Sequence, residues 1–151
     1  MTQQKANPGQ RRKARRLAIQ ALYQWQVAET PVTQIEAEFL TDNDMTKVDK
    51  EYFCELLRGV PKFKSEFDDL IGKYTDRTNS QMTPIELAIL RIGTYELIHR
   101  IDVPYKVVIN EGVELSKIFG ANEAHRFVNG VLDQLAQELR MPEVKHNKQE
   151  P

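Results

Sequence analysis

The sequence predicts an all-α fold, a single-domain bundle of about six or seven helices over residues 11–140, between a flexible leader (1–10) and a flexible tail (141–151). Three observations predict it. Apolar residues recur every three or four positions, the period of a helix. Expected helix starts carry capping residues, and expected stops carry Gly or Pro. No segment alternates apolar and polar residues between hairpin turn signals, so neither a sheet nor an internal repeat is expected. A chain of 151 residues, 40% hydrophobic and 28% charged with seven Gly and seven Pro, falls in the ordinary globular range and is long enough to bury a substantial core.

Up to Gln10 the chain is polar and contains Pro8 and Gly9. From Arg11 to Glu29, Ala14, Leu17, Ala18, Ala21, Leu22, Trp25 and Ala28 share one helical face, while Arg12, Arg15, Arg16, Ile19, Tyr23 and Gln26 fall opposite. Thr30 followed by Pro31 reads as an N-cap with proline at the first helical position, opening a short helix with Val32, Ile35 and Phe39 on one face. After the polar loop 41–46, Tyr52, Phe53, Leu56, Leu57 and Val60 turn inward; Phe63, Phe67, Leu70, Ile71 and Tyr74 continue the spacing, and Pro61 marks either a kink or a new helix. Thr83-Pro84-Ile85-Glu86 is a capping box for a helix from Pro84 to about His99. That helix is apolar nearly all round, as a central helix must be. A further helix after Asp102-Val103-Pro104 stops at Gly120, and Asn122 caps a last one over about 123–139, ended by Met141-Pro142. Gly93, Gly112 and Gly130 lie inside helices, where each costs about 1 kcal/mol relative to Ala unless another backbone crosses closely.

A net charge of −1 conceals an asymmetry, because residues 1–16 hold Lys5, Arg11, Arg12, Lys13, Arg15 and Arg16 without an acid. A basic arm on an acidic body suggests a polyanionic partner. The start of the chain has no apolar core of a signal peptide, and no run of about 18 uncharged apolar residues occurs. Cys54 stands alone, and the histidines are His99, His125 and His146. A cytoplasmic protein with no metal site and no cofactor is expected.

Sequence signatures of catalysis are missing. There is no Gly-rich phosphate loop, no GxSxG, and no base beside Cys54 in Tyr52-Phe53-Cys54-Glu55-Leu56. Asp42, Asp44 and Asp49 lack the central Gly and closing Glu of a calcium loop. Glu111 and Glu114 read as one buried and one solvated carboxylate, and His99 as a charge at a helix C-terminus. No enzyme is expected. The cluster Arg11-Arg12-Lys13-Ala14-Arg15-Arg16, with Tyr23 two turns on, fits either RNA binding through phosphate contacts and base stacking or a solubilising arm with a structural tyrosine. His125-Arg126-Phe127 is a second candidate, with Phe127 suited to the core or to a surface.

Several stretches together resemble the NusB family of bacterial transcription antitermination factors. They are Arg11-Arg12-Lys13-Ala14-Arg15 leading to Ile19-Gln20-Ala21-Leu22-Tyr23-Gln24-Trp25-Gln26, then Leu90-Arg91-Ile92 with Tyr95-Glu96-Leu97, then Asp102-Val103-Pro104-Tyr105-Lys106-Val107 with Ile109-Asn110-Glu111, and Phe127-Val128-Asn129-Gly130-Val131-Leu132-Asp133. The resemblance spans about residues 10–140. It implies RNA binding through the arginine-rich first helix, pairing with the ribosomal protein NusE, recognition of boxA-type single-stranded RNA in nascent ribosomal transcripts, and indirect contact with other Nus factors and RNA polymerase. By position it assigns RNA contacts to Arg11, Arg12, Lys13, Arg15 and Tyr23 and, in a second segment, to Arg126 and Phe127. It places Tyr74 and Glu86 near the NusE surface. Gly93 and Gly112 stand where alanine is more usual, and Arg16 extends the basic run. A helical protein adaptor and a DNA-binding module are the alternative readings.

Overall fold

The computed structural model describes residues 7–149, and all regular structure among them is helical. The helices are α1 (Pro8–Ala28), α2 (Val32–Asp42), α3 (Lys50–Lys62), α4 (Lys64–Gly72), α5 (Pro84–His99), α6 (Tyr105–Phe119), α7 (Ala124–Leu139) and α8 (Met141–Gln149), with one 3-10 turn at Asn79–Gln81. Eight helices stand where six or seven were expected. By packing, the chain divides between Lys62 and Phe63 into two compact units. Pro61 lies in the last turn of α3, and Phe63 separates α3 from α4. None of the helices among the described residues is long and apolar enough to cross a membrane.

In the first unit, α1 begins at Pro8, inside the expected leader. The Asn7 side chain accepts the Gln10 N–H at 3.1 Å, and Pro8 takes the first helical position, where its missing N–H costs nothing. Residues 1–6 of the expected leader lie outside the described residues. The buried residues of α1 are Ala14, Arg15, Ala18, Ile19, Ala21 and Leu22. At 100° per residue they span an arc of about 160°, rotated from the expected face. Ile19 and Arg15 are therefore internal, whereas Ala28 is exposed and Leu17 and Trp25 are half-buried. Ile35 of α2 and Tyr52, Phe53, Leu56, Leu57 and Val60 of α3 complete this core, with Phe39 stacked on Phe53 at 5.8 Å. The helix α2 starts one residue later than expected, with Pro31 rather than Thr30 at its N-cap.

The second unit is organised around α5, in which every residue from Glu86 to Leu97 is buried. The expected capping box forms: Thr83 Oγ1 accepts the Glu86 N–H at 3.0 Å, and Glu86 accepts the Thr83 N–H at 2.9 Å. Arg91, 2% exposed, donates twice to Asp68 at 2.8 Å. Gly93 and Gly112 both make room for the Leu132 side chain of α7, since a Cβ at either would lie 2.6 Å from a Leu132 methyl. The close neighbour is a side chain and not a backbone, and Gly130 has nothing near it.

Residues 141–149, expected as loose tail, form α8. Pro142 occupies its first turn, a helix-starting position as well as a helix-stopping one. Arg140, 2% exposed, donates to the carbonyls of Glu96, Leu97 and Arg100 at the end of α5 and to Glu143 of α8. Glu143 also accepts the Tyr105 N–H at 3.3 Å, giving α6 the cap that Pro104 cannot provide.

The two glycines share one side chain, which leads to a coupling. Leu132 can shift away from a methyl on one side, and the gain in helix propensity of about 1 kcal/mol offsets that strain. Methyls on both sides leave it nowhere to go. Gly93→Ala and Gly112→Ala should each be close to neutral in urea unfolding, and the double variant about 1 to 3 kcal/mol less stable than their sum. Additivity, or the same coupling in a Leu132→Ala background, would contradict this packing.

Candidate nucleic-acid interface

In the first unit the rotation of α1 sorts its basic residues into two sets. The Arg11 guanidinium lies 4.4 Å from the centre of the Tyr52 ring and 3.7 Å from Asp49, with 12% of the side chain exposed. Arg15, 3% exposed, lies 5.5 Å from the same ring. Arg12, Lys13 and Arg16 are exposed, as is Tyr23 at 42%. Lys13, Arg16 and Gln20 border a groove of about 270 Å³ whose other wall includes Asn43, Asp44 and Val48. Asp44 accepts both the N–H and the hydroxyl of Thr46, and these bonds hold its carboxyl below the ordinary range. Asp49 accepts the Tyr52 N–H at 3.1 Å at the start of α3. These acids thus serve a turn and a helix start. Burial, with Glu36 next in effect, pushes the Cys54 thiol up, opposite to what a nucleophile needs.

In the second unit a groove of about 380 Å³ is lined by Tyr74, Arg77, Arg126, Phe127, Gly130 and Gln134, among others. The Arg77 guanidinium sits 3.9 Å from the Phe127 ring centre and is anchored by Glu86 at 3.3 Å. Glu86 is buried, with one oxygen on the α5 cap and the other on Arg77. Arg126 pairs with Glu123 at 2.8 Å, both exposed. Asn122 does not cap α7. Glu123 holds that place, with φ 71° and no side-chain cap bond. The lone Gly130 Cα leaves this part of the groove open.

Four residues that the sequence divided between RNA and a protein partner therefore meet: Tyr74 and Phe127 line one groove with Arg126, and Glu86 reaches it through Arg77. Sequence reasoning missed Arg77, which lies in an aperiodic loop where neither spacing nor charge density marks it. Elsewhere Glu111 is buried and Glu114 is exposed beside Lys117, as expected. His99, instead of serving only as a terminal charge, stacks on Phe63 at 4.7 Å and lies 4.8 Å from Tyr95. Among the described residues no group of three or more His, Cys, Asp or Glu side chains could hold a metal.

The family model described as the NusB family matches residues 12–137. The chain belongs to the NusB family. It is 57% identical over 138 residues to a transcription antitermination protein NusB of Pseudomonas putida (strain W619), covering 91% of this chain and 83% of that one. With the NusB of Marinobacter nauticus the identity is 56%, over 91% and 87% of the two chains. Among solved structures, T. maritima NusB superposes with a TM-score of 0.74 at 31% identity, over 84% of this chain and 90% of that one. A structure of the antitermination factors NusB and NusE in complex with dsRNA gives 0.73 at 25% identity, over 84% and 96%.

Within this NusB-family groove, Tyr74 is held by donating its hydroxyl to Glu138 of α7. That bond lowers the Glu138 carboxyl below its ordinary range, with Lys73 adding to it, and pushes the Tyr74 phenol up. The Glu138 contribution to stability is present above its unfolded value and fades as pH falls through the depressed one; the Tyr74 contribution is present below the ordinary phenol value and fades as pH rises through the raised one. Tyr74→Phe should move the Glu138 titration, followed by carboxyl-carbon NMR, back toward the ordinary range. An unmoved titration would show that the bond does not form.

Proposed function

We propose that this protein is a transcription antitermination factor that binds boxA-type RNA of nascent ribosomal transcripts together with NusE and helps RNA polymerase resist premature termination. It acts in the cytoplasm, by binding and without catalytic turnover. The observation that carries this reading is the likeness to NusB in its complex with NusE and RNA, supported by relatives named as antitermination proteins. RNA contacts come from the exposed part of the basic segment of α1, Arg12 and Lys13, with Tyr23 further along the helix, and from Arg126 and Phe127. NusE meets the segment that carries Tyr74 and Glu86. Exposed guanidinium groups neutralise phosphate, and exposed rings stack on bases at about 1 to 3 kcal/mol each.

One basic stripe offers few base contacts, so NusE should tighten RNA binding and, by linkage, RNA should tighten the protein pair by the same factor. Titrating labelled boxA-type RNA with and without saturating NusE, and NusE with and without RNA, tests this. Equal RNA affinity in both cases would refute it. Tyr23→Ala should cost roughly 1 to 3 kcal/mol of RNA binding without changing its salt slope.

Glu123 competes with phosphate for Arg126, and its left-handed backbone suits Asn at least as well as Glu. Glu123→Asn should raise RNA affinity and change stability by less than about 1 kcal/mol, because the lost dipole interaction of about 0.3 to 1 kcal/mol is offset by relieved backbone strain. A fall in affinity would remove Arg126 from the RNA surface.

A further inference from the structure

We propose that Arg16 is an RNA phosphate contact of this protein and that Arg11 and Arg15, although part of the same basic run, hold α1 in place instead. The inference rests on the RNA-binding reading above and deepens it. At 100° per residue, Arg12, Arg16 and Tyr23 fall within an arc of about 40° on the exposed side of α1, beside one edge of the buried arc. Arg16 is one turn beyond Arg12 and lies about 10 Å before Tyr23 along the axis. A strand whose base stacks on Tyr23 runs its backbone past Arg16.

The two sets of arginines differ in what surrounds them. The charge of Arg11 is already met by Asp49 at 3.7 Å and by the Tyr52 ring at 4.4 Å. Arg15 is 3% exposed beside the same ring. A phosphate reaching either would have to displace contacts that join α1 to α3. Arg16 is exposed and shares with Lys13 and Gln20 the rim of the groove facing Asn43 and Asp44. No carboxylate among the described residues pairs with its guanidinium. Asp44, the acid across that groove, is held as a carboxylate by Thr46, and the two cations on the α1 rim outweigh its single negative charge. Each cation that binds a phosphate of a single strand contributes about 0.7 to the log-log salt dependence of affinity, whereas one already balanced within the protein releases no counterion.

The test is fluorescence anisotropy with a labelled single-stranded boxA-type RNA at four or more salt concentrations. Arg16→Gln should flatten the slope by about 0.7 and weaken binding of every RNA sequence, and Arg16→Lys should keep the slope. Arg11→Gln and Arg15→Gln should lower the melting temperature while leaving the slope of the folded protein at the wild-type value. If either fails to fold, Arg16→Gln, an exposed substitution, still decides the matter. A wild-type slope in Arg16→Gln, with RNA binding intact, overturns this assignment alone. Absence of RNA binding by the wild-type protein, with or without NusE, overturns the functional reading and this assignment together.

Discussion

The rotation of α1 about its own axis decides what the first unit can offer a partner, and the Tyr52 ring of α3 sets that rotation. Two guanidinium groups, Arg11 and Arg15, face this ring, and Asp49 balances the first of them. Desolvated cation–π contacts are worth more than exposed ones. They turn one edge of a basic run inward, and helical geometry then presents Arg12, Lys13, Arg16, Gln20 and Tyr23 to solvent. Charge density along the sequence is thereby converted into a narrower line of cations ending in an aromatic ring.

The second unit fixes its candidate site by giving single side chains two tasks. Glu86 closes the capping box of α5 with one oxygen and anchors Arg77 with the other, so the start of the central helix and the guanidinium stacked on Phe127 are positioned together. Glu143 caps α6 and receives Arg140, which itself binds three carbonyls at the end of α5. Removing any of these leaves a buried donor or acceptor unsatisfied, which costs more than the bond itself contributes. The groove between Tyr74 and Phe127 is thus built on the unit's most buried helix.

Much of the fold was legible from short-range signals. The Thr83 to Glu86 box located α5, its all-round apolar character placed it at the centre, and Gly120 ended α6 where expected. What escaped were features settled by contacts distant in sequence. Proline signals both stops and starts, so the sequence pattern alone reads Pro8 as part of a leader and Pro142 as a helix end, although Asn7 caps one helix and the Arg140 clamp holds the other. Periodicity places Arg15 and Ile19 on the outer face because it weighs arginine as polar, whereas Tyr52 lies 37 positions beyond Arg15 and makes its burial tolerable. The basic segment and Phe127 were visible as candidates from residue type and family resemblance. Arg77 was not, since only the fold brings that loop residue onto the ring.

The central claim is that α1 divides its arginines between holding the fold and meeting RNA, and arginine Nε–Hε NMR signals report on each directly. In the free protein, Arg11 and Arg15 should exchange with solvent slowly and carry ring-current shifts from Tyr52, while Arg16 exchanges rapidly. Adding single-stranded RNA with NusE should slow and shift the Arg12 and Arg16 signals and leave Arg11 and Arg15 in place. Rapid exchange of Arg11 and Arg15 in the free protein, followed by their protection on RNA binding, would contradict the account.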